Sequence, residues 1–274
     1  MVSSHLVFWN MISKNIKALV LDMDGVLWSD NSPIGDLPGI FKTISDRSLS
    51  VALATNNSIR TPDQYISRLK GFGVVNLESW QVITSSLAVA DELIQKFPAR
   101  SDIFVIGENG LKVALEEKGF CIVDENNSAL AKAVVVGIDR NVSYPKLRQA
   151  TLLIRKGIPF YGTNPDKTFP TPEGLILGTG ALLAALTTAT DVLPIIMGKP
   201  SPYMISMARQ RLGVLPQETL VIGDRVETDI VGGKTDGCFT ALVFSGVTSK
   251  NKMDLLDPKP DFYADNLTAL LELI

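Results

Sequence analysis

The feature that most limits what this chain can fold into is a regular alternation of short apolar runs with helix-like stretches. The runs are 17–21, 50–54, 81–84, 102–107, 133–137, 159–162, 194–198, 219–223 and 239–244. Between and after them, Pro38–Ser48, a segment starting at Thr61-Pro62-Asp63, the stretch after Thr84 through Lys96, Leu111–Lys118, Tyr144–Lys156, Thr179–Thr190, Pro202–Arg211, Asp229–Lys234 and Leu267–Ile274 read as helices. Thr61 is placed to cap its helix and Pro62 suits the first helical position. Strands alternating with helices of about 10 to 15 residues predict a parallel sheet covered on both faces, an α/β protein. The segment Thr168–Gly174 is Pro-rich and reads as a loop.

Four of the apolar runs end in polar clusters: Asp22/Asp24, Thr55-Asn56-Asn57, Lys199 and Asp224/Asp229. In open parallel sheets the ligand crevice lies outside the carboxyl ends of the strands. Four such clusters coinciding by chance is far less expected than one. At the first, Asp22 and Asp24 are one residue apart, and residues i and i+2 of an extended strand share a face. Two adjacent acids repel, and a cation beside them relieves the repulsion. The pair therefore suits a hard metal ion, or a nucleophile beside an acid. Taken alone, the same stretch also reads as a solvated strand end with turn-forming Asp and Gly25. The twelve-residue calcium loop of an EF-hand is excluded, because its later ligands and its Glu do not follow.

Composition narrows the chemistry further. With 46% hydrophobic and 20% charged residues, the 274-residue chain has the make-up of a globular protein with room for two domains. A net charge of −3 without a basic block argues against nucleic acid or an anionic membrane as partner. His5 is the one histidine, which removes histidine-dyad mechanisms and zinc sites with two histidines. Cys121 and Cys238 form no C-x-x-C pair and fit a reducing cytoplasm. Residues 1–14 contain the apolar run His5–Ile12, too short to span a bilayer and lacking signal-peptide flanks. We read them as a leader before a fold that begins near Asn15, with Met11 as an alternative start.

The ordered set Asp22-Met23-Asp24-Gly25-Val26-Leu27, Thr55-Asn56-Asn57-Ser58, Gly198-Lys199-Pro200 and Gly223-Asp224-Arg225-Val226-Glu227-Thr228-Asp229 resembles the four motifs of the haloacid dehalogenase (HAD) superfamily. Thr163-Asn164-Pro165-Asp166, Gly178-Thr179-Gly180 and Pro202 after Lys199-Pro200-Ser201 are similar to the NagD-like, 4-nitrophenylphosphatase-type branch. The resemblance covers the chain from about residue 16. It implies a Rossmann-like doubly wound core at 15–85 and 194–274, with an α/β cap inserted at 86–193. Residues 56–198, 143 in all, leave room for such a cap.

The resemblance also implies roles. Asp22 would be the nucleophile that forms an aspartyl phosphate. Asp24 would be the acid and then the base. Thr55 and the amide of Asn56 would hold phosphoryl oxygens, and Lys199 would neutralise their charge. Mg²⁺ would be held by Asp22, the backbone carbonyl of Asp24, and Asp224, with Asp229 one layer out. Asn57, Ser58 and Asp166 join the expected substrate-binding set. Arg60 is equally a substrate contact or a solvated helix start, and Asn164 and Asp166 are each equally a cap wall or a structural turn. Trp28 is expected to pack. Ile59 stands where some relatives carry a basic residue. The implied activity is hydrolysis of small soluble phosphomonoesters in the cytoplasm, with no nucleic acid or membrane partner and a homodimer left open. A phosphotransferase or phosphomutase on the same core, and a non-hydrolytic phosphoacceptor domain, are the alternatives.

Overall fold

A computed structural model describes residues 15–171 and 173–273; the expected leader at 1–14 lies outside them. The chain forms two compact units. One comprises the described residues within Met1–Thr55, with Tyr65–Ile83 and Pro200–Ile274; the other comprises Asn56–Gln64 and Thr84–Lys199.

The first unit is built on a six-stranded sheet in the order Phe262–Ala264, Phe239–Val243, Thr219–Gly223, Ala18–Leu21, Ser50–Thr55, Val82–Thr84. Ala18–Leu21 pairs in parallel with Thr219–Gly223 on one side and Ser50–Thr55 on the other. Every residue of Ala18–Leu21 and of Thr219–Gly223 is buried. That explains why these strands are continuous apolar runs and do not alternate. The order places sequence-distant strands side by side, as expected of a doubly wound sheet. Helix Leu37–Asp46 buries Leu37, Ile40, Phe41 and Ile44 at helical spacing. Trp28 is wholly buried, stacks on Tyr65 at 6.3 Å and carries the Arg68 guanidinium 4.4 Å from its ring centroid, so it packs as expected.

The second unit has its own five-stranded sheet, in the order Ile195–Ile196, Phe160–Gly162, Ala133–Val136, Asp102–Ile106, Cys121–Val123. All its pairings are parallel. Ser143 caps helix Tyr144–Arg155, which buries Ala150, Leu153 and Ile154. Both units are thus α/β with parallel sheets.

Several segments differ from the sequence expectation, among them the strand Cys121–Val123, the ribbon Trp28–Ser29 with Ser32–Pro33, and the two that follow. The stretch read as a loop is an antiparallel hairpin, Thr168–Thr171 with Gly174–Leu177. Pro170 masked it, although proline is tolerated in a ribbon with open edges. Phe262–Ala264, a three-residue strand with Tyr263 exposed, escaped a reading that looked for longer apolar runs.

Leu21 is fully buried at the centre of the first sheet, whereas Leu255 is 82% exposed. Leu21→Ala should lower unfolding free energy by about 2–5 kcal/mol in urea titrations. Leu255→Ala should stay within about 0.5 kcal/mol of wild type.

Candidate active site

The acidic residues of the first unit are brought together by strand register. Leu21 pairs with Ile222, and the Asp22 N–H extends that ladder by donating to the Ile222 carbonyl at 2.8 Å. Asp22 and Asp224 therefore emerge at the same end of adjacent strands. Asp229 joins them from a π-helical turn, Val226–Ile230. Its Oδ2 accepts the Arg225 N–H at 3.1 Å, which folds the side chain back over the strand end. One carboxylate oxygen from each of Asp22, Asp224 and Asp229 lies within 4.8 Å of the others. Asp224 and Asp229 are buried. Three carboxylates at this spacing, two of them buried, form an oxygen-only donor set of the kind a hard divalent cation occupies. The residues present thus fit a small divalent ion, with Asp229 inside the cluster and not only behind it.

Asp24 takes another direction. The strand ends at Leu21, and the chain turns at Gly25, whose φ of +86° is costly for any residue with a Cβ. The Gly25 N–H donates to the Trp28 carbonyl at 2.7 Å, closing the turn. The Asp24 carboxylate accepts the Trp28 indole N–H through Oδ1 at 2.8 Å. The shared-face rule for i and i+2 does not reach Asp24, because the chain is no longer extended there. Its carboxylate is exposed and lies outside the three-residue cluster. Thr55 closes the neighbouring strand Ser50–Thr55 and is buried.

The remaining expected residues gather in the second unit around Asn56. The Asn56 side-chain amide donates to the Lys199 carbonyl at 2.9 Å and to Asp166 Oδ2 at 3.2 Å. The Asn56 carbonyl accepts from Ser85 Oγ at 2.6 Å and from the Asn164 amide at 2.8 Å. Asn164 Oδ1 accepts the Asp166 N–H at 3.1 Å, an Asx turn that sets the Asp166 backbone. Asn57 Oδ1 accepts the Ile59 N–H, and the Ser58 carbonyl accepts from Ser86 Oγ. Lys199 is 3% exposed and Ser58 1% exposed. Neither the Ser58 hydroxyl nor Asn56 Oδ1 finds a hydrogen-bond partner among the described residues.

Ser85 and Ser86 were not singled out from the sequence. They follow the strand Val82–Thr84, so the rule that polar residues at strand ends are informative would have found them. The turn Ser245-Gly246-Val247 was also passed over, although it follows the strand Phe239–Val243 in the same manner.

Two family models match: a haloacid dehalogenase-like hydrolase over residues 19–121 and a HAD-hydrolase-like model over 196–270. A protein named 5′-nucleotidase YutF from Bacillus subtilis is 38% identical over 261 residues, 95% of this chain and 100% of its own length. The p-nitrophenyl phosphatase from Archaeoglobus fulgidus superposes with a TM-score of 0.88 at 30% identity, over 94% of this chain and 99% of that one. A glycerol phosphate phosphatase from Mycobacterium tuberculosis, solved in complex with magnesium, has a TM-score of 0.86 at 28% identity, over 94% and 77%. Motif order, fold and relatives agree, and the chain belongs to the haloacid dehalogenase-like hydrolases, in the branch that includes the 4-nitrophenylphosphatases.

Proposed function

We propose that this enzyme is a Mg²⁺-dependent phosphatase that hydrolyses small soluble phosphomonoesters through an aspartyl phosphate on Asp22. The observation that carries the reading is the cluster of Asp22, Asp224 and Asp229 at the carboxyl ends of adjacent parallel strands. The phosphatase names of relatives that align along most of this chain support it.

In this reading an Asp22 oxygen attacks phosphorus while the bond to the leaving oxygen breaks. Asp24 gives its proton to that oxygen, then takes one from the water that cleaves the aspartyl phosphate. The Trp28 N–H occupies Asp24 Oδ1, which assigns the travelling proton to Oδ2. Thr55 and the amides of Asn56 and Asn57 are assigned to the phosphoryl oxygens, and Lys199 to their charge. Ser58 supports that loop from its buried position. Asp22, the Asp24 carbonyl and Asp224 would hold Mg²⁺, with Asp229 beside them. Bound there, the ion would supply positive charge at a phosphoryl oxygen.

Substrate choice is assigned to the inserted segment, expected at 86–193 as the cap, with Asp166 as a side chain that accepts from the motif residue Asn56 of its own unit. Among the described residues no helix is long and apolar enough to cross a membrane. The two free cysteines support a cytoplasmic home. A homodimer is compatible with this reading, and nothing in the mechanism requires one.

The metal reading is tested by chelation. Activity on p-nitrophenyl phosphate should vanish in excess chelator and return with Mg²⁺, partly with Mn²⁺ or Co²⁺, and Ca²⁺ should inhibit because its looser coordination spoils in-line attack. Full activity in excess chelator overturns it.

The two aspartates are separable by rapid quench. Asp22→Asn should abolish both turnover and the phosphoenzyme. Asp24→Asn should lose about 100- to 10,000-fold in kcat and accumulate a hydroxylamine-sensitive phosphoenzyme from an activated aryl ester. An adduct on the Asp22→Asn protein would reverse the assignment.

Asp166→Ala removes one acceptor from the Asn56 amide. It should change the ranking of sugar, nucleotide and glycolyl phosphates more than the rate on p-nitrophenyl phosphate. An equal loss on all of them would make Asp166 a structural turn residue only.

A further inference from the structure

In the proposed Mg²⁺ site the buried ligand Asp224 is held in one orientation by the turn after strand Phe239–Val243. The Val247 N–H donates to Asp224 Oδ2 at 2.6 Å. The Thr248 N–H donates to the Asp224 backbone carbonyl at 3.1 Å, so the turn grips the residue at both ends. Ser245 Oγ donates to the Gly25 carbonyl at 2.7 Å, which ties the same turn to the chain just after Asp24. Asp224 is 2% exposed.

Two glycines close the cradle. A Cβ at Gly25 would lie 2.5 Å from Asp224 Oδ2 and 3.1 Å from the Gly246 Cα. A Cβ at Gly246 would overlap Asp224 Oδ2 and lie 2.6 Å from Cγ. The Asp224 carboxylate therefore rests between two bare Cα atoms with one oxygen on a backbone N–H. That arrangement blocks rotation about the last side-chain torsion. It also gives Oδ2 a fixed anchor on the turn.

We infer that Ser245-Gly246-Val247 is a positioning element that orients the Asp224 carboxylate and thereby sets the divalent-cation affinity of the cluster. The inference rests on the reading of that cluster as the Mg²⁺ site. A carboxylate that is already oriented gives up no rotational freedom when it takes a cation. Groups that hydrogen-bond a metal-ligating side chain typically change affinity or activity about 10- to 100-fold when removed. The Val247 side chain is 62% exposed, so its backbone N–H is the working part. Its φ is not positive, and proline there removes the N–H donor, with the metal-free melting temperature reporting any wider change in the turn.

The test is calorimetric titration of Mg²⁺ into chelator-treated wild type, Val247→Pro, Val247→Ala and Ser245→Ala proteins, with the metal-free melting temperature of each recorded alongside. Val247→Pro should bind Mg²⁺ about 10- to 100-fold more weakly. Val247→Ala, which keeps the N–H, should bind as wild type does. Ser245→Ala should weaken binding in the same direction and by less, because its hydroxyl holds the turn without touching Asp224. The affinity loss should appear without a matching loss of metal-free melting temperature. Wild-type affinity in Val247→Pro overturns the inference while leaving the metal reading intact. If Val247→Pro does not fold, wild-type affinity in Ser245→Ala overturns it. Failure of the wild-type protein itself to take Mg²⁺ overturns the metal reading and this inference together.

Discussion

The first unit of this molecule depends on the parallel pairing of Ala18–Leu21 with Thr219–Gly223. Nearly two hundred residues separate these strands in the chain. Their register puts Leu21 opposite Ile222, so the residues that follow leave the sheet together. Backbone hydrogen bonds and buried apolar side chains thus force acids into proximity that their own charges oppose. The unfavourable part of that arrangement is what a bound cation would relieve. The sheet is indifferent to the charge, since its stability comes from burying residues such as Leu19, Leu21 and Ile222.

Around the cluster the chain is shaped by what it omits. Gly25 and Gly246 are bare where Asp224 passes, and a methyl group at either would collide with its carboxylate. Trp28 works in the opposite sense, filling space with a large buried ring while its one polar atom meets Asp24. The two carboxylates of the opening motif are therefore held by different means. Asp22 is fixed by the sheet, and Asp24 by a turn and an indole. Such differences in surroundings are what the proposed division into nucleophile and proton carrier requires of two chemically identical groups.

In the second unit a single buried asparagine performs the comparable service. Asn56 ties three other segments together, with its amide on Lys199 and Asp166 and its carbonyl under Ser85 and Asn164. A buried network of this kind tolerates little substitution, because removing one partner leaves another polar group unsatisfied away from water. The backbone of Lys199 is positioned by this network, far along the chain from the residues that build it.

The sequence by itself determined the α/β class, the order of the motifs and the identity of the charged residues. Fully buried parallel strands must be apolar throughout, and the polar residues at their ends stand out against them. It did not reveal the hairpin Thr168–Leu177, because Pro170 reads as a breaker unless the edges of the ribbon are known to be open. It read 194–198 as a strand of the core at 194–274, whereas Ile195–Ile196 pairs with Phe160–Gly162 in the second unit, because an apolar run does not name its partner. Tertiary structure alone decided that Asp229 stands with Asp22 and Asp224 and that Asp24 turns to Trp28. It alone brought Val247 to Asp224. The physical reason is common to all three. Each depends on how the backbone leaves a strand, and that is set by turns and by packing partners distant in sequence, not by the residue types at the site.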